Sequence, residues 1–156
     1  MSFDLDVVSP VDFPSDLGVQ ICAHLRRHGV EVEIYPSFDV GTWQGGFLPM
    51  KVLAMPLEYI GCALQSPALS GFEVDFGPKR ASFRSPACRT TTEFSLLSLS
   101  AAAIAEITGG RLEIPEADLP PSELDPFLEA IDLLKSFVAE STEEDRRQSP
   151  FEKWLD

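Results

Sequence analysis

The chain has 156 residues, 12 Lys+Arg against 25 Asp+Glu, a formal net charge of −13 and 44 % hydrophobic residues. That length and apolar content fit one globular domain and exclude a disordered chain. The negative charge disfavours nucleic acid and anionic membrane surfaces as direct ligands, since both present phosphate.

The chain opens with Phe3, Leu5 and Val7 alternating with Asp4 and Asp6, the period of a half-buried strand. Asp4, Asp6 and Asp12 stand where a secretory leader carries basic residues, and no long apolar run follows, so no leader and no membrane span are expected. Ser15 is the candidate cap of a first helix, with Asp16 suited to its positive end. Leu17, Ile21 and Leu25 form its buried stripe, and Gly29 stops it after the basic run Arg26-Arg27-His28. A second strand alternates Val30, Val32 and Ile34 with Glu31 and Glu33, and Pro36 ends it.

Residues 37–46 predict a loop, and Gly45-Gly46 turns it into a third strand over 47–55. Pro49 within that strand predicts an edge position or a bulge. Residues 57–64 read equally as strand or helix. Ser70-Gly71 predicts a turn into a strand with Phe72, Val74 and Phe76 inward, and residues 81–85 predict its hairpin partner. The Leu- and Ala-rich run from Phe94 to Ile107 predicts a helix, with Thr92 as candidate cap. Ala101, Ala102, Ala103 and Ala105 suit close packing on a sheet, and Gly109-Gly110 ends the run. Leu112 and Ile114 face inward from a short strand, and an acidic linker runs to Pro120-Pro121. Ser122 is the candidate cap of the last helix, whose apolar face carries Leu124, Phe127, Leu128, Ile131, Leu134 and Val138.

Together these elements predict a single α+β domain over residues 1–140: a mainly antiparallel sheet with about three helices packed on one face. Residues 141–156 read as a polar C-terminal tail, docked through Phe151 and Trp154 or trailing free.

Few residues carry recognisable chemistry. Cys22, Cys62 and Cys88 are odd in number and widely spaced, which fits reduced, mostly buried thiols in a cytoplasmic protein rather than disulfides or a zinc site. His24 and His28 have a metal-compatible i, i+4 spacing, but Leu25 stands where a zinc protease has its Glu, and Arg26 and Arg27 repel a cation. They read as exposed histidines near a helix end, so no metal and no cofactor are expected. The loop Gly41-Thr-Trp-Gln-Gly-Gly46 feeds a strand and has no Gly-Lys-Ser/Thr, so it is not a phosphate cradle. It reads as a turn carrying a half-buried Trp43 or, functionally, as a recognition loop with Trp43 and Gln44 as anchors. Lys79, Arg80, Arg84 and Arg89 form the basic cluster, either a solvated hairpin or a site for a carboxylate or phosphate.

The acids are unevenly spread. The last 44 residues carry 13 of them against Lys135, Arg146, Arg147 and Lys153, a net −9, which leaves −4 for the first 112. This pole reads as a solvated face or as a docking surface for a basic partner, with Glu123, Asp125, Glu129 and Asp132 as its candidate contacts. With no nucleophile elbow, phosphate loop or metal-ligand run, no enzymatic activity is expected.

The run Trp43-Gln-Gly-Gly-Phe-Leu-Pro-Met-Lys-Val52, the run Ser70-Gly-Phe-Glu-Val74 and the run Ser100-Ala-Ala-Ala-Ile-Ala-Glu-Ile-Thr-Gly-Gly110 with its following strand form a recognisable layout. It resembles small acidic bacterial immunity proteins encoded beside polymorphic or contact-dependent toxins, over residues 43–115. The small-residue helix ending in Thr-Gly-Gly matches best; where that pattern often continues Asp-Pro-Gln, this chain has Ile114-Pro115-Glu116. The resemblance implies a cytoplasmic protein that blocks a cognate toxin, basic near its active site, by non-catalytic binding. It carries over no contact residue, because immunity surfaces differ with each toxin. Two other functions fit the composition: an acidic secretion chaperone for an exported effector, and a small-ligand-binding domain or enzyme using Lys79, Arg80 and Arg84. A chaperone of that kind usually opens with a helix, and this chain opens with a strand.

Overall fold

The computed structural model describes residues 3–61, 64, 68–85, 90–115 and 125–142. Cys62, Cys88, Arg89, the acidic linker to Pro121, Ser122, Glu123, Leu124 and the tail bearing Phe151 and Trp154 lie outside them.

Six strands form one sheet: β1 (Phe3–Val8), β2 (Glu31–Ile34), β3 (Phe47–Ala54), β4 (Ala68–Phe76), β5 (Arg80–Ser85) and β6 (Arg111–Glu113). Their order is β2-β3-β4-β5-β1-β6, and every pair is antiparallel. The helices are α1 (Leu17–Arg26), the single turn α2 (Leu57–Ile60), α3 (Thr91–Thr108) and α4 (Pro126–Glu140). The α+β class expected from the pattern is the class observed.

Strand alternation assigns the two sheet faces. Leu5, Val7, Val32, Leu48, Met50, Val52, Phe72, Val74, Ala81, Phe83 and Leu112 are buried on the inner face. The outer face carries Asp4, Asp6, Arg80, Arg84, Glu73, Asp75, Lys51 and Glu33, with Arg84 opposite Asp4 and Glu73, and Lys51 opposite Glu33. The inner face is covered by α3, of whose 18 residues 16 are buried. A helix apolar on all sides needs partners on all sides: α3 has the sheet beneath it, α1 and α2 beside it, and α4 across it. The stack is therefore sheet, α3, α4, with α4 in a third layer and not on the sheet.

Several local expectations are corrected. The single turn of α2 resolves residues 57–60 as helix, closed by Gly61 in the left-handed region. Thr90, not Thr92, caps α3, its hydroxyl accepting the Glu93 amide at 3.1 Å; Thr91 instead donates to the Ile60 carbonyl at 3.1 Å and ties α2 to α3. Asp16, not Ser15, is the N-cap position of α1, and its carboxylate accepts from the Gln20 amide rather than from the backbone. The cap of α4 is Asp125, whose carboxylate accepts the Phe127 amide at 2.9 Å, with Pro126 in the first turn where a missing N–H costs nothing.

Ser70-Gly71 is no turn, since β4 starts at Ala68 and runs through it. Gly71 has φ +149°, and a Cβ there would stand 2.2 Å from the Leu48 carbonyl oxygen and 2.4 Å from the Phe47 ring. The glycine thus lets β3 and the Phe47 ring close over β4. Pro49 is not at an edge, because β3 lies between β2 and β4. Its carbonyl accepts from the Tyr35 amide, just beyond the end of β2. The amide and carbonyl of a paired residue point to the same neighbour, so the missing donor also faces the end of β2. There the Tyr35 carbonyl accepts from Phe38 instead. The register irregularity of this pair lies elsewhere, between Glu31 and Val32.

Candidate functional site

Four aromatic side chains meet at the end of the sheet where β4 stops. Phe76 is the last residue of β4, Phe13 leads into α1, and Phe38 and Trp43 come from the β2–β3 loop. Ring centroids are 5.4 Å apart for Phe13–Phe76, 5.9 Å for Phe38–Phe76 and 5.5 Å for Phe38–Trp43, the first and last edge to face. All four are half-buried.

The loop is tied to β4. The Trp43 indole N–H donates to the Val74 carbonyl at 2.9 Å, and the Val74 amide donates to the Gly46 carbonyl at 3.0 Å. Gly45, at φ +86°, passes so close to β4 that a Cβ would stand 1.9 Å from Asp75 Oδ1. Gln44 is exposed, its side-chain amide donating to the Thr42 carbonyl at 3.1 Å. Three of the four rings have an exposed aspartate as chain neighbour, namely Asp12, Asp39 and Asp75, and Val11 beside Asp12 is 50 % exposed. The result is a half-buried aromatic cluster packed against the edge of the core, with acidic residues next to three of its rings in the chain. Lys79 and Arg80 follow Phe76 in the chain, both exposed.

Sequence reasoning found Trp43 and Gln44 and missed Phe13, Phe38 and Phe76. The signal available was the pairing of each ring with an acid in Asp12-Phe13, Phe38-Asp39 and Asp75-Phe76. That signal is weak, since the core residues Phe72 and Phe94 also have an acid beside them in the chain.

The α4 candidates lie in a different layer. Asp125 is the helix cap, Glu129 is half-buried in the first turn, and Asp132 is exposed. With Glu140 against Lys135, the described part of α4 has only a modest negative charge. Most of the acidic pole belongs to residues 116–124 and 143–156, outside the described residues. The loop candidates Trp43 and Gln44 sit against β4, whereas α4 packs on α3 and α2, so the two groups do not form one site.

Two members of the basic cluster are engaged within the fold, while Arg89 lies outside the described residues. Arg80 lies 2.6 Å from Asp6 and 3.8 Å from Glu113, and Arg84 lies 3.9 Å from Asp4. Cross-strand pairing on the outer sheet face thus already supplies carboxylates to two of the arginines that a ligand would need. A shallow cavity of about 190 Å³ between α2 and α4 is lined by Glu58, Tyr59, Ile131, Leu134 and Lys135. It is smaller than the roughly 300–1,000 Å³ of ordinary small-molecule sites. Burial raises the Tyr59 phenol above its ordinary value, with Glu58 adding to the shift.

The histidines are not the exposed pair expected from their spacing. The His24 side chain is 14 % exposed and its Nε2 lies 3.3 Å from Glu106 Oε2. His28 stacks on Phe127. Cys22 is a free, half-buried thiol, held above its ordinary value chiefly by burial. Among the described residues no three His, Cys, Asp or Glu side chains converge to hold a metal ion, and no helix is long and apolar enough to cross a membrane. No family model matches the chain, and neither does any curated protein or solved structure.

Proposed function

We propose that the chain is a cytoplasmic immunity protein, a stoichiometric and non-catalytic inhibitor that covers a cognate bacterial toxin domain. The observation that carries the reading is the Phe13–Phe38–Trp43–Phe76 cluster, with exposed Asp12, Asp39 and Asp75 next to three of its rings in the chain. Pinned aromatics supply contact area with little ordering cost, and the aspartates select a basic surface. Toxin domains that act on nucleic acids or nucleotides are basic where their substrate sits. The net charge of −13 then speeds encounter with such a domain.

The test is protection. The gene beside this one is expressed alone and together with this chain. The reading expects toxicity alone, growth on co-expression, and a one-to-one complex of the purified proteins. Joint reversal of Asp12, Asp39 and Asp75 to Lys should slow association by about tenfold at low salt and flatten its salt dependence. A neighbour that is not toxic, or a chain that does not protect, overturns the reading. Unchanged kinetics in the triple variant would move the contact to another surface, and reversal of Asp125, Glu129 and Asp132 then tests α4.

A further inference from the structure

One buried ring meets the end of α1 at the N-terminal end of α4. Phe127 lies in the first turn of α4, its amide accepted by the capping carboxylate of Asp125. His28, two residues past the end of α1, stacks on that ring at a centroid distance of 3.6 Å with the planes 11° apart. His24 lies one turn earlier, 5.6 Å from the same ring and 5.9 Å from His28. Its Nε2 is 3.3 Å from Glu106 Oε2 of α3. Phe127 is 3 % exposed, and both imidazoles lie against its ring.

We propose that His24, His28, Glu106 and Phe127 form an acid-sensitive clasp, in which protonation of His28 releases the N-terminal turn of α4 from the end of α1. His24 has Glu106 of α3 as its partner. A proton on His28 has no such outlet. Among the described residues no carboxylate lies within ion-pair distance of His28.

Each element bears on a charged His28 in its own way. From α1, charged His24 and Arg27 repel it, while the carbonyl end of the helix attracts it. From α3, Glu106 attracts it but is engaged with His24. From α4, Asp125 attracts it but already accepts the Phe127 amide, and the positive end of the helix dipole repels it. The Phe127 face returns part of the lost hydration. The balance favours the neutral ring: burial first and His24 second push the His28 pKa below its ordinary value, against smaller opposing effects of Glu106 and Asp125. A group lowered in the folded state contributes stability that is complete above its unfolded pKa near 6.5 and is lost as the pH falls through the folded value.

The far end of α4 is held differently. Phe137 stacks on Phe94 of α3 with centroids 4.1 Å apart and planes 4° apart, a contact that does not titrate. Acid therefore opens α4 from its N-terminal end while its C-terminal end stays attached.

Amide hydrogen exchange on the full chain tests this at pH 7.5 and pH 5.5, after correction for intrinsic rates. The expected result is a loss of protection of about threefold or more in the first two turns of α4 at the lower pH, with β3 and β4 little changed. His28→Phe keeps a stacked ring and removes the proton, so the pH response should vanish with protection at pH 7.5 retained. Should that variant misfold, His28→Gln removes the same titration without added bulk. The proposal is overturned by a wild-type α4 that does not respond to pH, by a response that survives in the His28 variants, or by α4 and the sheet losing protection in equal proportion.

Discussion

Asp6 is 8 % exposed and lies on the outer sheet face, where Arg80 reaches it at 2.6 Å. Removing the guanidinium leaves a nearly buried carboxylate without its closest cation. Arg80 is itself 48 % exposed, so water and Glu113 temper the loss. Arg80→Ala is expected to cost about 1–2 kcal/mol in urea unfolding, between the ranges for surface and buried pairs. Trp43→Phe removes the indole donor to the Val74 carbonyl while keeping a ring, and should cost about 1 kcal/mol. Gly71→Ala should cost more, because its Cβ meets the Leu48 carbonyl and its backbone is strained as well. An alternating pattern puts Asp6 on the polar face, but not next to a particular arginine. That pairing follows from the register of β1 against β5, in which Ser82 faces Asp6 and Arg80 and Arg84 flank it.

The most informative element is α3. Its serines and alanines predict close packing, and the helix approaches its neighbours on every side, with Ala101, Ala102, Ala103 and Ala105 all at 0 % exposure. Ala102→Leu has no room to grow into and should cost about 1–3 kcal/mol, read as a lower denaturation midpoint. Phe137→Ala removes one ring of the stack that anchors the end of α4 and should cost about 2–3 kcal/mol, somewhat below a fully buried phenylalanine. The caps were less legible than the helices. Thr90, Thr91 and Thr92 all have the right chemistry. The choice of Thr90 depends on where the chain leaves the helical conformation, and Thr91 is engaged by α2. Pro49 misled for a related reason: the rule against proline in interior strands concerns a missing bond, and at this position the neighbouring strand has already ended.

At the scale of the whole molecule the net charge of −13 works against compactness, since acids outnumber bases about two to one. Raising the ionic strength from about 10 to 150 mM should therefore raise the melting temperature by a few degrees, and a thermal melt at two salt concentrations measures it. A melting temperature that falls with salt would mean that the outer-face ion pairs outweigh the repulsion. The same screening should slow association with a basic partner, so stability and on-rate are expected to move in opposite directions with salt.

By itself the sequence determined most of the strands, the three longer helices and the antiparallel α+β class. Each of these depends on local periodicity, on turn chemistry or on composition, which need no knowledge of what lies across the core. Tertiary structure alone decided which groups meet. It brought Phe13, Phe38 and Phe76, spread over 64 positions, to Trp43, drew two members of the basic cluster into pairs with β1, and set His24 and His28 against Phe127. Side chains remote in sequence become neighbours only when the sheet order and the three-layer stack are set. These are properties of the whole chain's burial and not of any one segment's pattern.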